Sequence, residues 1–279
     1  MLFLGIHTIT SPPQIFDRSL LKVRRARFLS SHDRPYYLLD AFKDTLKDRL
    51  SLMKHSFHNG LVLGAHHGVI GKELISDLHL DCLVEVETSH SILQKSNGFQ
   101  VEADEEALPF ADRSFDLIVS SLSLQFVNDL PGALLQIRRI LKPDSLFIGG
   151  VLGSSTLNEL RSVWLQSEME IQNGTSPRVI PFSDVRDCGM LLQRAGFFLP
   201  VVDREILKVR YNSALELMLD LRGMGAGNIL TDRSRSPITR RLLNRIIEIY
   251  GDQFADEDGR VIATFELIIM TGWSAKDNK

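Results

Sequence analysis

Carboxylates, hydroxyls and glycines stand just past the ends of four short apolar runs in the first half of the chain. Leu61-Val62-Leu63 runs into Gly64, with His66 and Gly68 following. Cys82 to Val86 runs into Glu87. A third run near Phe99 to Ala103 is followed by Asp104 and Glu105, and Phe115 to Val119 leads into Ser120, Ser121 and Leu122. If these runs are parallel strands, the residues after them converge beyond the carboxyl ends, where open α/β sheets bind ligands. Glu87 is then placed to accept hydrogen bonds from two ribose hydroxyls, and Asp104, with Glu105 beside it, to accept from the exocyclic amine of an adenine. Gly64 and Gly68 let the first turn approach a ligand where a β-carbon would stand in the way. Ser120, Ser121 and Leu122 border the reactive end. Together they describe one half of a nucleotide-cofactor crevice.

The elements that must hold these residues are legible by periodicity. Asp129 and Pro131 supply an N-cap and first turn, Leu130, Leu134, Ile137 and Leu141 recur at helical spacing, and Lys142-Pro143 closes the pattern. Leu146 to Leu152 is the next strand. Strands alternating with helices from 60 to 152 require right-handed crossovers and a doubly wound, mostly parallel sheet. Helical patterns at 15–27 and 37–53 precede it as N-terminal cover helices. The first is basic and amphipathic, and its arginines read as a solvated face. Beyond residue 153 come helices over 156–171, 184–195, 214–222 and 237–250, a strand over 197–209, the glycine-rich Gly223 to Gly227, and a closing strand over 261–270, seven strands in all. The expected organisation is cover helices at 1–55, a Rossmann-like cofactor core at 56–153, and at 154–279 the rest of the same domain, carrying helical insertions between late strands that read the substrate.

Composition narrows the class. The 279 residues, 44% hydrophobic and 24% charged, suffice for one sizeable core. A net charge of -3 and a pI near 6.2 give no basic excess for gripping nucleic acid. Cys82 and Cys188 are far apart and in no CxxC, which fits a reducing compartment. No apolar run approaches the ~20 residues of a membrane span, and the opening segment lacks the basic region of a signal peptide. Cytoplasmic residence in a bacterium is the expectation.

Several longer motifs place the chain further: Ile15-Phe16-Asp17-Arg18, ADEEALPF at 103–110, SFDLIVSSLSL at 114–124, FVNDLPGAL at 126–134, ILKPDSLFIGG at 140–150, TLNELR at 156–161, QRAGF at 193–197, GMG at 223–225 and EDG at 257–259. With them the chain resembles class I S-adenosylmethionine-dependent methyltransferases, and more narrowly the mitochondrial complex I assembly factor family of methyltransferase fold with its bacterial relatives. The resemblance implies S-adenosylmethionine as cofactor. It also implies a cover helix in which one of Arg24, Arg25 and Arg27, here Arg25, reaches the carboxylate of the cofactor's methionine. The implied activity is arginine hydroxylation, and the implied partner is a respiratory NADH dehydrogenase subunit undergoing assembly. The chain departs from the class pattern at Val62 and His66, where an acid and a further glycine are usual, and at Gln125-Phe126, where relatives often carry His-Trp. Two other readings stay open: methylation of a small molecule or an acyl-carrier-bound acid, and a non-catalytic assembly chaperone with a degenerate pocket.

Methyl transfer from a sulfonium is a direct displacement that needs reactants aligned at roughly 3 Å and water excluded, so few side chains are obligatory. Asp129 and Gln125 are the only catalytic candidates; Gln125 cannot take a proton as His can, and Asp129 reads first as a helix cap. Hydroxylation would call for an oxygen-activating centre, for which His55 with His58, or His66 with His67, could join Glu87 or Asp104 as two histidines and a carboxylate. Their positions favour ordinary loop histidines, and no metal ligands are assigned. Trp164, Met224 and Trp273 are candidate contacts to a protein substrate, and Asp252, Asp256, Glu257 and Asp258 form an acidic surface for an arginine-bearing segment.

Overall fold

Period-two burial of the strands organises the molecule. The computed structural model describes residues 14–28, 37–94, 96–172 and 174–277. The opening segment and the Arg34-Pro35 break before the second helix lie outside them. Strands β1 (Asn59–Leu63), β2 (Cys82–Glu87), β3 (Phe99–Glu102), β4 (Phe115–Ser121), β5 (Leu141–Leu152), β6 (Phe198–Tyr211) and β7 (Val261–Trp273) form one sheet of order β3-β2-β1-β4-β5-β7-β6. β1 to β5 pair in parallel, and β7 is inserted antiparallel between β5 and β6. The strand order reverses between β1 and β4. β4, at the centre, is buried along its whole length.

Alternate residues serve the two faces. Val62, Leu117, Val119, Leu146 and Ile148 point to one apolar cluster, roofed by α2 (Tyr37–Ser51), α3 (Val69–Leu78), α6 (Asn158–Gln172), α8 (Ala214–Gly223) and α9 (Arg240–Phe254). Leu61, Leu63, Ile118 and Phe147 point to the other, under α5 (Leu130–Ile140) and α7 (Val185–Arg194). Val62 is thus a core residue with no exposed surface. Asp116 ties the foot of β4 to that of β1 by accepting from the backbone N–H groups of His58 and Asn59 at 2.9 and 2.8 Å. Among the described residues the remaining α-helices are α1 (Arg18–Phe28) and the single turn α4 (His90–Leu93).

Several boundaries differ from the periodicity by a few residues, and two of the differences have a plain structural cause. The first helix begins at Arg18 rather than Ile15, because Phe16 pairs with Leu230 as an isolated antiparallel bridge and Asp17 caps the helix by accepting from Leu20 N–H at 2.9 Å. The fifth strand begins at Leu141, straight from α5, so Lys142-Pro143 lies inside it. Its pairing with β4 shifts register between Phe115 and Leu117, an irregularity that tolerates a residue without an N–H.

Candidate cofactor crevice

The crevice forms where β1, β2 and β4 end side by side. The first turn leans on β2: Gly64 and Ala65 N–H donate to the Val86 carbonyl at 3.1 and 3.2 Å. Gly64 (φ +76°) and Gly68 (φ +78°) adopt left-handed conformations. The need for glycine at 64 is internal, since a β-carbon there would lie 2.8 Å from the Ser121 carbonyl and 2.9 Å from Ser123 Cβ. The hydroxyls at the end of β4 are likewise absorbed within the protein: Ser121 Oγ donates to the Gly64 carbonyl at 2.5 Å, and Ser120 Oγ meets Ser123 Oγ at 3.2 Å. Both serines are fully buried, so of the expected trio only Leu122 lines the cavity.

Glu87 sits at the tip of β2 with 1% exposure, and Arg25 of α1, 2% exposed, is inserted onto it. Arg25 Nη1 lies 3.0 Å from Glu87 Oε1, and Nη2 donates to Oε2 at 3.3 Å. The Oε1 contact is one of charge without hydrogen-bond alignment, which leaves that buried oxygen an unsatisfied acceptor. Burial pushes the Glu87 carboxyl up to about 7, with Arg25 opposing and Glu105 adding to the rise. His66 closes the other side. Its Nε2 donates to the Ser121 carbonyl at 2.8 Å, and burial, assisted by the Arg25 charge, lowers its ring to about 3, so the imidazole is neutral.

Asp104 and Glu105 are engaged by Arg18, seven residues and two helical turns before Arg25. Arg18 Nη2 donates to Asp104 at 2.6 Å and also bonds Glu105. Burial alone would lower the Arg18 guanidinium, but the two carboxylates outweigh it and raise it. The expectation that the arginines of the first helix form a solvated face therefore fails for Arg18 and Arg25. The i, i+7 spacing that puts both on one face was the available signal. The glycine-rich segment packs on this helix: at Gly225 (φ +71°) a β-carbon would meet Arg25 Cγ at 3.1 Å.

With Arg25 and His66 in place, the cavity bounded by Leu38, Leu39, Leu122, Gln125, Phe126, Leu152 and Met224 holds only about 70 Å³. That is far below the ~300 Å³ or more of a small-molecule site. The donor and acceptor chemistry suits a nucleoside, with an unsatisfied acceptor at the tip of β2 and two acids beyond β3, but α1 has to withdraw Arg25 to make room.

Gln125 Nε2 donates to the Leu122 carbonyl at 2.8 Å, and its buried Oε1 lacks a hydrogen-bond partner. Asp129 caps α5, accepting from Gly132 N–H at 2.8 Å. The histidine sets are not assembled. His58 pairs with Asp81 at 2.9 Å and His55 packs on Phe57 and Trp273, both at the opposite end of β1 from the crevice, and no cluster of metal-binding side chains occurs among the described residues. Trp164 and Met224 line an adjoining cavity, whereas Trp273 meets the His55 ring edge-on. The acidic surface is partly neutralised, since Asp256 and Asp258 both bind Arg210. Cys188 is buried and its thiol is pushed up to about 12 by that burial.

A seven-stranded sheet of this order with an acid at the tip of β2 defines a class I methyltransferase fold. Residues 72–149 match the methyltransferase domain family. The chain is 38% identical to the mitochondrial arginine-hydroxylase NDUFAF5 of Homo sapiens, over 97% of this chain and 80% of that one. It is 30% identical to the malonyl-acyl-carrier-protein O-methyltransferase of Halorhodospira halophila, over 93% of this chain and 89% of that one. The YcgJ protein of Bacillus subtilis superposes with a TM-score of 0.56 over 87% of this chain and 100% of its own, at 15% identity. The chain belongs to the methyltransferase-fold family that includes the NDUFAF5 arginine-hydroxylases.

Proposed function

We propose that the protein binds S-adenosylmethionine in the β1–β2–β4 crevice and modifies an arginine of a protein partner, a subunit of a respiratory NADH dehydrogenase under assembly in the bacterial cytoplasm. The observation that carries the substrate side is the match to the arginine-hydroxylases, stronger than the match to the carboxyl methyltransferases and spread over 97% of the chain. The cofactor side is supported by Glu87, a buried carboxylate at the tip of β2 with an unsatisfied oxygen. When bound, S-adenosylmethionine supplies an electrophilic methyl on a sulfonium. In this reading Glu87 holds the ribose, Asp104 and Glu105 lie by the adenine, Leu122 and Phe126 supply an apolar wall, and Gly64, Gly68 and His66 shape the first turn. Arg25, released from Glu87, is the cation available for the methionine carboxylate. Gln125 is the crevice residue nearest in kind to a substrate ligand.

Two measurements test this. Calorimetric titration of S-adenosylmethionine is expected to show binding to the wild type, weakened about tenfold or more in Glu87→Ala by loss of charged hydrogen bonds. Mass spectrometry of the NADH dehydrogenase subunits from a deletion strain is expected to show one arginine lacking an oxygen atom, or lacking a methylene if the reaction is methylation. No binding by the wild type would select the scaffold reading, which the insertion of Arg25 into the crevice favours. Unaltered subunits, with label passing from the cofactor to a carrier-bound acid, would select the carboxyl methyltransferase reading, favoured by the relative from Halorhodospira halophila.

A further inference from the structure

Arg18, Lys22 and Arg25 stand at i, i+4 and i+7 of α1 and so share one face of it. Each meets an acid at the strand tips. Arg18 bonds Asp104 and Glu105 beyond β3, Lys22 Nζ lies 2.6 Å from Glu102 Oε1 at the end of β3, and Arg25 reaches Glu87 at the tip of β2. The two halves of the helix are attached differently. The first is anchored by apolar burial and backbone bonds: Phe16 and Leu21 cluster with Phe126, Ile180, Ile229 and Leu230, Phe16 N–H donates to Asn128 Oδ1 at 2.7 Å, and Asp17 N–H donates to the Ile229 carbonyl at 2.8 Å. From Lys22 to Arg27 the only buried side chain is that of Arg25, held by Glu87 and by the His66 ring, both of whose nitrogens lie 3.4 Å from Nη2. Polar contacts therefore fasten the second half, and the hydrogen-bond donors of a ligand can replace them. Neighbouring residues of that half face two chambers. Arg25 fills the crevice, whereas Arg24 lines a cavity of about 620 Å³ that shares Leu38, Phe126, Leu152, Met224 and Ala226 with it, and Arg24 Nη1 donates to the Asn228 carbonyl of the same cavity wall at 2.5 Å.

We propose that α1 is an autoinhibitory strap. It pivots at Phe16 and Asp17; its Arg25 end shuts the crevice by occupying the acid a nucleoside needs, and its withdrawal frees Glu87 and removes the partition between crevice and cavity. The inference rests on the cofactor reading and adds a competition to it. Strap and nucleoside exclude each other at Glu87, so the observed affinity is the intrinsic one reduced by the fraction of molecules that are open. A contact that holds the strap down weakens the ligand, and removing that contact tightens it. Loss of a ligand-binding residue, or of a merely structural one, has the opposite effect. Lys22 and Glu102 are the pair to perturb, since both side chains are exposed and neither lines the crevice.

The test uses the full chain and 5′-methylthioadenosine, an uncharged nucleoside whose affinity does not follow the net charge of the protein. Calorimetry is expected to show about fivefold tighter binding by Lys22→Glu than by the wild type, because a like-charge pair replaces an ion pair on the strap. The swapped double variant Lys22→Glu/Glu102→Lys is expected to return to the wild-type affinity. Hydrogen exchange of the α1 amides should quicken in ligand-free Lys22→Glu, and in the wild type when the nucleoside is added. In a Trp273→Phe background the emission of Trp164, which lines the cavity and not the crevice, should change on nucleoside binding; unchanged emission overturns the joining of the two chambers. Binding by Lys22→Glu that is no tighter than by the wild type overturns the strap and leaves the cofactor reading standing. Binding by none of the forms overturns the cofactor reading and the gate together. Should Lys22→Glu fail to fold, Lys22→Gln carries the same comparison, with a gain of about twofold.

Discussion

Replacing Glu87 by glutamine preserves the volume at the tip of β2 and removes one titration. In the folded protein burial pushes this carboxyl from the ordinary 4.5 up to about 7, against the pull of Arg25. The folded state therefore holds the proton more tightly than the unfolded chain does. The stabilisation from Glu87 is complete below about 4.5 and is lost as pH rises through about 7. The gap between the two ionisations corresponds to about 3 kcal/mol. Urea unfolding at about pH 5 and about pH 8.5 measures it, since the two conditions bracket most of the window. The wild type is expected to lose about 3 kcal/mol more across that interval than Glu87→Gln does. His66 also titrates in the unfolded chain over part of this range, but it is present in both proteins and its contribution cancels in the difference. Arg25→Gln is the companion variant. Without the guanidinium the carboxyl rises further, and the fall in stability extends to higher pH. Parallel pH profiles for wild type and Glu87→Gln would refute the reasoning, because they would mean that Glu87 ionises in the fold as it does in water.

Three other outcomes follow from the same geometry. His66 is held near 3 in the fold against an ordinary 6.5, so its stabilisation is present above 6.5 and disappears as pH falls towards 3; the loss amounts to about 5 kcal/mol. His66→Asn, which tolerates the left-handed φ of 42°, should flatten that acid limb in the same unfolding assay. Gly64→Ala places a β-carbon 2.8 Å from the Ser121 carbonyl at a φ of +76° and should destabilise by about 2 kcal/mol or more in thermal or urea unfolding. Asp129→Ala removes the cap of α5 and should cost about 1 kcal/mol while leaving the affinity for S-adenosylmethionine unchanged, and Asp129→Asn should restore most of the loss. A large fall in turnover with unchanged stability in Asp129→Ala would make that carboxylate a reacting group instead.

The parallel core was legible because each of its determinants is local. A buried strand needs a short run such as Phe115 to Val119, and a helix needs Asp129 at its cap with Leu130, Leu134 and Ile137 on one face; neither depends on distant sequence. The placement of Glu87 at the tip of β2 follows from the same local pattern. Two things the sequence left hidden are non-local. The partner of a carboxylate is set by which helix covers it, and nothing near Glu87 or Glu105 indicates Arg25 and Arg18, 62 and 87 residues away. Ser120 and Ser121 look like ligand groups in sequence because hydroxyls at a strand end face the crevice in general. Here the turn at Gly64 comes close enough to take the Ser121 hydroxyl. The boundary of β5 was misplaced for a related reason: Pro143 reads as a break in one dimension, but a register shift in the pairing with β4 makes room for it.

Two charge fields lie on either side of the wall formed by Leu38, Phe126, Leu152 and Met224. On the crevice side Glu87, Asp104 and Glu105 draw in guanidinium groups, and in this structure the groups drawn in are those of α1 itself. On the cavity side arginines gather with no carboxylate among the lining residues described. A ligand that displaces Arg25 from Glu87 must supply groups that the carboxylate accepts from, and ribose hydroxyls or a substrate guanidinium would both do so. Glu87 is therefore chemically competent in a cofactor role and in a substrate role. Paired titrations separate the two: if the ribose occupies Glu87, Glu87→Ala should raise the Kd of S-adenosylmethionine and leave that of arginine amide unaltered, whereas a substrate role reverses the two effects.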